Sequence, residues 1–232
     1  MSSSAANRRR SSGAAVGMLN IALTGNVAAG KSSVVRWFAK WGATIIDSDA
    51  LVREVQRPGS ETLTALADRF GKDVLRPDGS LDRAALRGKV LVNSDALSSL
   101  NAIVHPAVQR RRQALLAEAA RRGDHIVVND IPLLFEVLNP DDFDLVVLVD
   151  APLELRRERL LRRGLSPEDA NRLIASQLPT DQKRTRSDIV IENGGTLEEL
   201  REAARRAWQA ICERAAGPDD GPQPHETAPS PT

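Results

Sequence analysis

Residues Gly25-Asn26-Val27-Ala28-Ala29-Gly30-Lys31-Ser32 read G-x-x-x-x-G-K-[ST], directly behind the apolar run Leu19 to Leu23 and directly ahead of a helix-like segment, Ser33 to Trp41. Strand, glycine loop and helix in that order form a nest for phosphate groups. Gly25 and Gly30 let successive backbone N–H groups turn inward, and the helix that follows adds its positive N-terminal end. In such a loop Lys31 reaches the β- and γ-phosphates of a nucleotide and the Ser32 hydroxyl ligates Mg²⁺. The competing reading is a glycine turn that caps a helix, with Lys31 simply solvated.

The chain around the loop alternates. Apolar runs suited to buried parallel strands are Leu19 to Thr24, Ala43 to Asp47, His125 to Asn129, Leu145 to Val149 and Ile189 to Ile191. Helix punctuation lies between them: stops at Gly42 and Gly71, a cap at Ser166-Pro167, and a capping box at Thr196 to Glu199. The pattern predicts an α/β fold of the P-loop NTPase type, a parallel five-stranded sheet flanked by helices. The long gap from 50 to 123 holds helix-like pieces, a Pro77-Asp78-Gly79 turn and no strand. It is expected to be a helical insertion after the second strand. A helical lid is expected at about 153–187. The domain is expected to cover 18–214, with 1–17 a disordered N-terminal extension that could also read as a transit-like segment, and 215–232 a disordered tail.

Composition narrows the partners. With a formal net charge of +1, no strong field draws nucleic acid or an anionic membrane. The chain has no Tyr and 3% aromatic residues, which argues against base-stacking platforms. A single Cys212 allows no internal disulfide and fits a reducing compartment. No apolar stretch approaches a membrane span in length. The expectation is a cytoplasmic protein, a monomer or weak homo-oligomer, with a small-molecule substrate.

In an open parallel sheet, ligands bind at the carboxyl ends of the strands, and acidic residues fall there. Asp47 and Asp49 close the second strand; one could accept a proton from an attacking hydroxyl while the other helps order Mg²⁺. Ser48 or Asp49 could equally cap the next helix. Arg53, four residues after Asp49, is either its ion-pair partner or an anchor for an anionic substrate. Asp130 ends the third strand, the position of an acid that contacts Mg²⁺. Behind it run Pro132, Leu133 and, after Phe135, Glu136, whose carboxylate is expected to face the same cleft. Arg159 and Arg163 share a helical face that could cover a transferring phosphate. His105 precedes Pro106 at an expected helix start and is either a structural hydrogen-bonder or part of the site.

Taken together, the glycine loop, Asp47-Ser48-Asp49-x-x-x-Arg53, Pro58-Gly59, His105-Pro106, Pro132 to Glu136, the arginine flap and Asn193-Gly194 resemble the dephospho-CoA kinase family from about Leu19 to Ile211. The resemblance implies transfer of the γ-phosphoryl of ATP, with Mg²⁺, to the ribose 3′-hydroxyl of dephospho-CoA. It implies Lys31 and the loop from Gly25 to Ser33 as the phosphate site, Ser32 on Mg²⁺, and Asp49 as the base with Asp47 beside it. Arg53, His105 and the insertion would form the acceptor side, with Arg159 and Arg163 in the flap and Asn193-Gly194 meeting the adenine through the backbone. Such a flap is expected to stand away from the loop until substrates bind. The chain departs from the family in having Asn26, Ala28, Ala29 and Ser33, and alanine fits such a loop where φ stays negative. Two rivals remain: a nucleoside or nucleotide kinase of the same architecture, and a partner-binding NTPase switch. The switch would want a guanine-reading motif, and the chain has none.

Overall fold

The computed structural model describes residues 17–91 and 94–216; the expected extension before Gly17 and nearly all of the expected tail lie outside the described residues. The strands are β1 (Leu19–Gly25), β2 (Thr44–Asp47), β3 (Ile126–Asp130), β4 (Leu145–Asp150) and β5 (Ile189–Glu192). They form one five-stranded sheet in the order β2-β3-β1-β4-β5, every pair parallel. Registers such as Asp47 opposite Asp130 and Asp150 opposite Glu192 bring the acidic strand ends to one edge.

The helices are α1 (Lys31–Lys40), α2 (Ser48–Val55), α3 (Glu61–Phe70), α4 (Arg83–Val90), α5 (Ser94–Arg122), α6 (Leu134–Val137), α7 (Leu153–Arg162), α8 (Pro167–Ala175), α9 (Thr180–Arg184) and α10 (Leu197–Ala216). Alternation along β1 sends Ile21 and Leu23 to one face, where they join Val34 and Phe38 of α1 and Ala204 and Ile211 of α10. Ala22 goes to the other face with Leu134, Phe135 and Phe143. The insertion has a core of its own, built on Leu63, Leu66, Phe70, Val74, Leu81 and Leu86. The Pro77-Asp78-Gly79 turn closes there, with a lone antiparallel bridge between Leu75 and Leu81.

Local chemistry sets the element ends as the sequence indicates. Gly42 and Gly71 follow α1 and α3 at positive φ, the Ser166 hydroxyl accepts from Asp169 N (3.1 Å), and Thr196 and Glu199 exchange the two bonds of a capping box. One expectation is corrected. Pro106 does not start a helix but lies inside the 29-residue α5. A proline there costs one intrahelical bond. The helix runs on because it packs against α2, α3, α4 and β2.

Candidate active site

The glycine loop leaves β1 and enters α1 through Gly30, at φ 99°. A Cβ at residue 30 would run into the Asn193 amide, so this glycine is required by close approach as well as by φ. Ala28 also stands in the left-handed region, at φ 58°, outside the negative φ that suits alanine. The strain costs about 1–2 kcal/mol. Its methyl is buried against Leu160 and Ala170 of the lid, and the Ala28 carbonyl accepts from Arg159 Nη1 (3.2 Å). Burying a methyl recovers about 0.8 kcal/mol, so packing offsets part of the strain.

The other loop groups are also held. Val27 N donates to Gln177 Oε1 (2.9 Å), and Asn26 Nδ2 donates to Asp150 Oδ1 (2.9 Å) and to the Thr180 hydroxyl (3.1 Å). Asn193 Nδ2 donates to the Ala29 carbonyl (2.7 Å), while its Oδ1 accepts from Arg159 Nη2 (3.2 Å). Thus the buried Asn193 side chain touches the loop, and Gly194 lies beside Pro152. Gln177, Thr180 and Arg159 all belong to the lid, so the lid is closed onto the loop. The loop's own polar groups give the lid partners that hold it down. Ser32 and Ser33 lie in the first turn of α1, and the Ser33 hydroxyl accepts from Arg36 (3.3 Å). Arg163 is exposed at the end of α7 and is not brought to the loop in the way Arg159 is.

At the strand ends, Lys31 Nζ pairs with Asp130 Oδ1, both largely shielded. Burial raises the Asp130 carboxyl above the usual carboxylate range; Lys31 opposes this, and the negative charges of Asp47 and Asp49 reinforce it. Those two carboxylates therefore act on the same small region. It is Asp47 that caps α2, accepting from Ala50 N (2.9 Å), and Arg53 lies 3.9 Å from Asp47 rather than pairing with Asp49. Asp49, in the first turn of α2, is left exposed on the rim of a cavity of about 540 Å³. His105, Pro132 and Leu133 line this cavity too, so four of the residues singled out from sequence meet there. Glu136 is not among its lining residues. Its Oε1 accepts from Leu178 N (3.1 Å) and lies 2.8 Å from Lys183 Nζ, a fully buried ammonium. The acid expected to face the cleft instead ties α6 to the lid.

Several groups escaped the sequence reading. Asp150 Oδ2 accepts from Arg184 Nη1 (2.9 Å), and Arg184 Nη2 donates to Glu192 (2.5 Å), which fastens α9 across the ends of β4 and β5. Arg156 is buried and donates to the Ala151 carbonyl (3.1 Å). Asp150 at a strand end was a readable signal; Arg156 and Lys183 were hidden in basic, solvent-like segments.

The dephospho-CoA kinase family model matches residues 19–199. The chain belongs to the dephospho-CoA kinase family. A Mycolicibacterium paratuberculosis dephospho-CoA kinase is 45% identical over 192 residues, 82% of this chain; the chain spans about half of that relative, 47%. A Corynebacterium glutamicum dephospho-CoA kinase is 41% identical over 198 residues, covering 85% of this chain and 99% of its own length. A crystal structure of a Thermus thermophilus protein superposes with a TM-score of 0.71 at 35% identity, covering 85% of this chain and 97% of the other. Among the described residues, no helix is long and apolar enough to cross a membrane.

Proposed function

We propose that this chain transfers the γ-phosphoryl group of ATP to the ribose 3′-hydroxyl of dephospho-CoA, giving CoA and ADP. The observation that carries the reading is the position of Asp49, exposed on the rim of the apolar cavity while its charge reaches Asp130, the partner of Lys31. A hydroxyl in the cavity and a phosphate on the loop then meet at one carboxylate. Asp49 takes the proton of the attacking hydroxyl. Lys31 and the loop N–H groups hold the phosphates, and Arg159, already against the loop, faces the charge that develops on the transferred group.

Ser32 and Asp130 offer hard oxygen donors of the kind Mg²⁺ prefers. Among the described residues no cage of three or more His, Cys, Asp or Glu side chains surrounds them, which fits an ion held by one or two protein groups plus phosphates. When bound, Mg²⁺ supplies neutralising charge on the phosphates. We assign the domain to 18–214, with the insertion 50–123 contributing the acceptor side and 153–187 the lid. Arg53 would contact the acceptor, while Arg163 and Gly194 would complete the nucleotide side as the lid adjusts. We place the enzyme in the cytoplasm, a reducing compartment that suits the free Cys212.

An ADP-release assay with ATP and Mg²⁺, run with dephospho-CoA, nucleosides or nucleoside monophosphates as acceptor, tests this. Release that depends on dephospho-CoA is the expected result. Release with a nucleoside or nucleotide alone would turn the acceptor assignment to the rival kinase class, and acceptor-independent release would indicate an NTPase.

A further inference from the structure

The insertion contributes a second charged group to the cavity. On α5, His105, Gln109 and Arg112 are spaced four and three apart, so they share one helical face, and all three line the cavity opposite Asp49. Arg112 is only 6% exposed. Its guanidinium lies over the Phe143 ring, 4.9 Å from the centroid, and its Nε and Nη1 are enclosed with no hydrogen-bond acceptor. Asp142 is the charge that acts on it, without forming an ion pair among the described residues. An arginine keeps its proton even when buried, and a buried unpaired cation is costly. Burial lowers its proton affinity while Asp142 opposes that, so the environment favours a compensating anion. Asp142 and Ser48 also line the wall, and the other lining residues are apolar, including Leu133 and Val137, which are 41% and 44% exposed. A guanidinium held over a ring in such a wall can give a charge-assisted hydrogen bond to a phosphate oxygen.

We propose that Arg112 binds the diphosphate of the acceptor and thereby selects an acceptor that carries one. This rests on the phosphotransfer reading above. The diphosphate is the anionic part of dephospho-CoA that leads away from the ribose whose hydroxyl meets Asp49. With Arg112 engaged there, the apolar wall at Val137 and Leu138 is left for the uncharged arm.

The test is steady-state kinetics of the full chain and of Arg112→Met and Arg112→Lys, with dephospho-CoA and with adenosine, which lacks the diphosphate, as acceptors. For Arg112→Met, KM for dephospho-CoA rises about 10- to 100-fold, the range for a lost charge-assisted contact, while kcat and KM for ATP hold. The preference for dephospho-CoA over adenosine, as a ratio of kcat/KM, collapses by the same factor. Arg112→Lys loses less because the charge remains. If thermal melting shows that Arg112→Met is unfolded, the lysine variant carries the test. An equal loss with both acceptors would make Arg112 structural and overturn the proposal, as would an unchanged KM for dephospho-CoA. Failure of the unsubstituted chain to use dephospho-CoA would overturn the phosphotransfer reading and this proposal with it. Normal turnover by that chain with no change of selectivity in the variants would overturn this proposal alone.

Discussion

The two sides of the cleft are finished differently. On the donor side, groups of the glycine loop are already bonded to protein: Asn26 to Asp150, Val27 to Gln177, Ala28 to Arg159, Ala29 to Asn193 and Lys31 to Asp130. On the acceptor side, among the described residues, the cavity keeps an exposed Asp49, an Arg112 whose Nε and Nη1 have no hydrogen-bond partner, and apolar residues open at its mouth. A loop that must hold phosphates in line gains from being fixed beforehand, since ordering it at the moment of reaction would weaken catalysis. A pocket that must recognise one acceptor among many gains from leaving polar groups unsatisfied until the right molecule enters, because wrong molecules then leave a cost unrelieved.

Substitutions can break this contrast from either side. The largest effect is expected for Asp49→Asn. Loss of the base lowers kcat by about 10²–10⁴-fold, while ATP affinity, read by calorimetric titration, stays near that of the parent because Asp49 bonds no loop group. A variant that turns over normally would move the base elsewhere. Lys31→Met acts on the donor side and is expected to lower kcat by about 10²–10³-fold, the range for removing one group that stabilises transition-state charge. Unlike Asp49→Asn, it should weaken ATP binding as well, and retained ATP affinity would contradict the role given to Lys31.

Asn193→Ala tests whether the loop is held beforehand. It removes the donor to Ala29 and the acceptor of Arg159, and is expected to cost about 1–3 kcal/mol. That lowers Tm by several degrees, at about 2–4 °C per kcal/mol for a domain of this size, and raises KM for ATP more than KM for the acceptor. Equal effects on the two substrates would remove the distinction between the sides. Ala28→Gly is the smallest. Relief of about 1–2 kcal/mol of strain is offset by about 0.8 kcal/mol of lost methyl burial and by the greater chain entropy of glycine, about 0.4–1 kcal/mol. Tm is therefore expected to move by no more than a few degrees, and a drop comparable to that of Asn193→Ala would show that lid packing on Ala28 matters more than its backbone strain.

The donor side was also the more legible in sequence. Gly25, Gly30, Lys31 and Ser32 announce their chemistry by spacing alone, and the five strands with Asp47 and Asp130 at their ends follow from apolar runs that only a buried parallel sheet explains. Ser166 and Thr196 cap helices through bonds confined to three residues, so a local pattern suffices. What was not legible depends on contacts far along the chain. Arg112 is one of three consecutive arginines, and only α5 docking beside Phe143 and the 131–138 segment distinguishes it from Arg110 and Arg111. Lys183 looks solvated in Thr180–Arg184 until Glu136, 47 positions before it, is placed beside it. The bond from the Asn193 side chain to Ala29 is of the same kind, since it needs β5 to return beside β4. Even the lid's position follows from bonds between Gln177 and Val27, 150 residues apart, which no periodicity records.

The most direct measurement is ³¹P NMR of the products formed from ATP, Mg²⁺ and dephospho-CoA, coupled to ribose proton assignment. The expected result is one new phosphomonoester on the ribose 3′-oxygen in amounts equal to ADP. Phosphate on another hydroxyl, or free inorganic phosphate in place of the ester, would contradict the assignment of Asp49 and the cavity to dephospho-CoA.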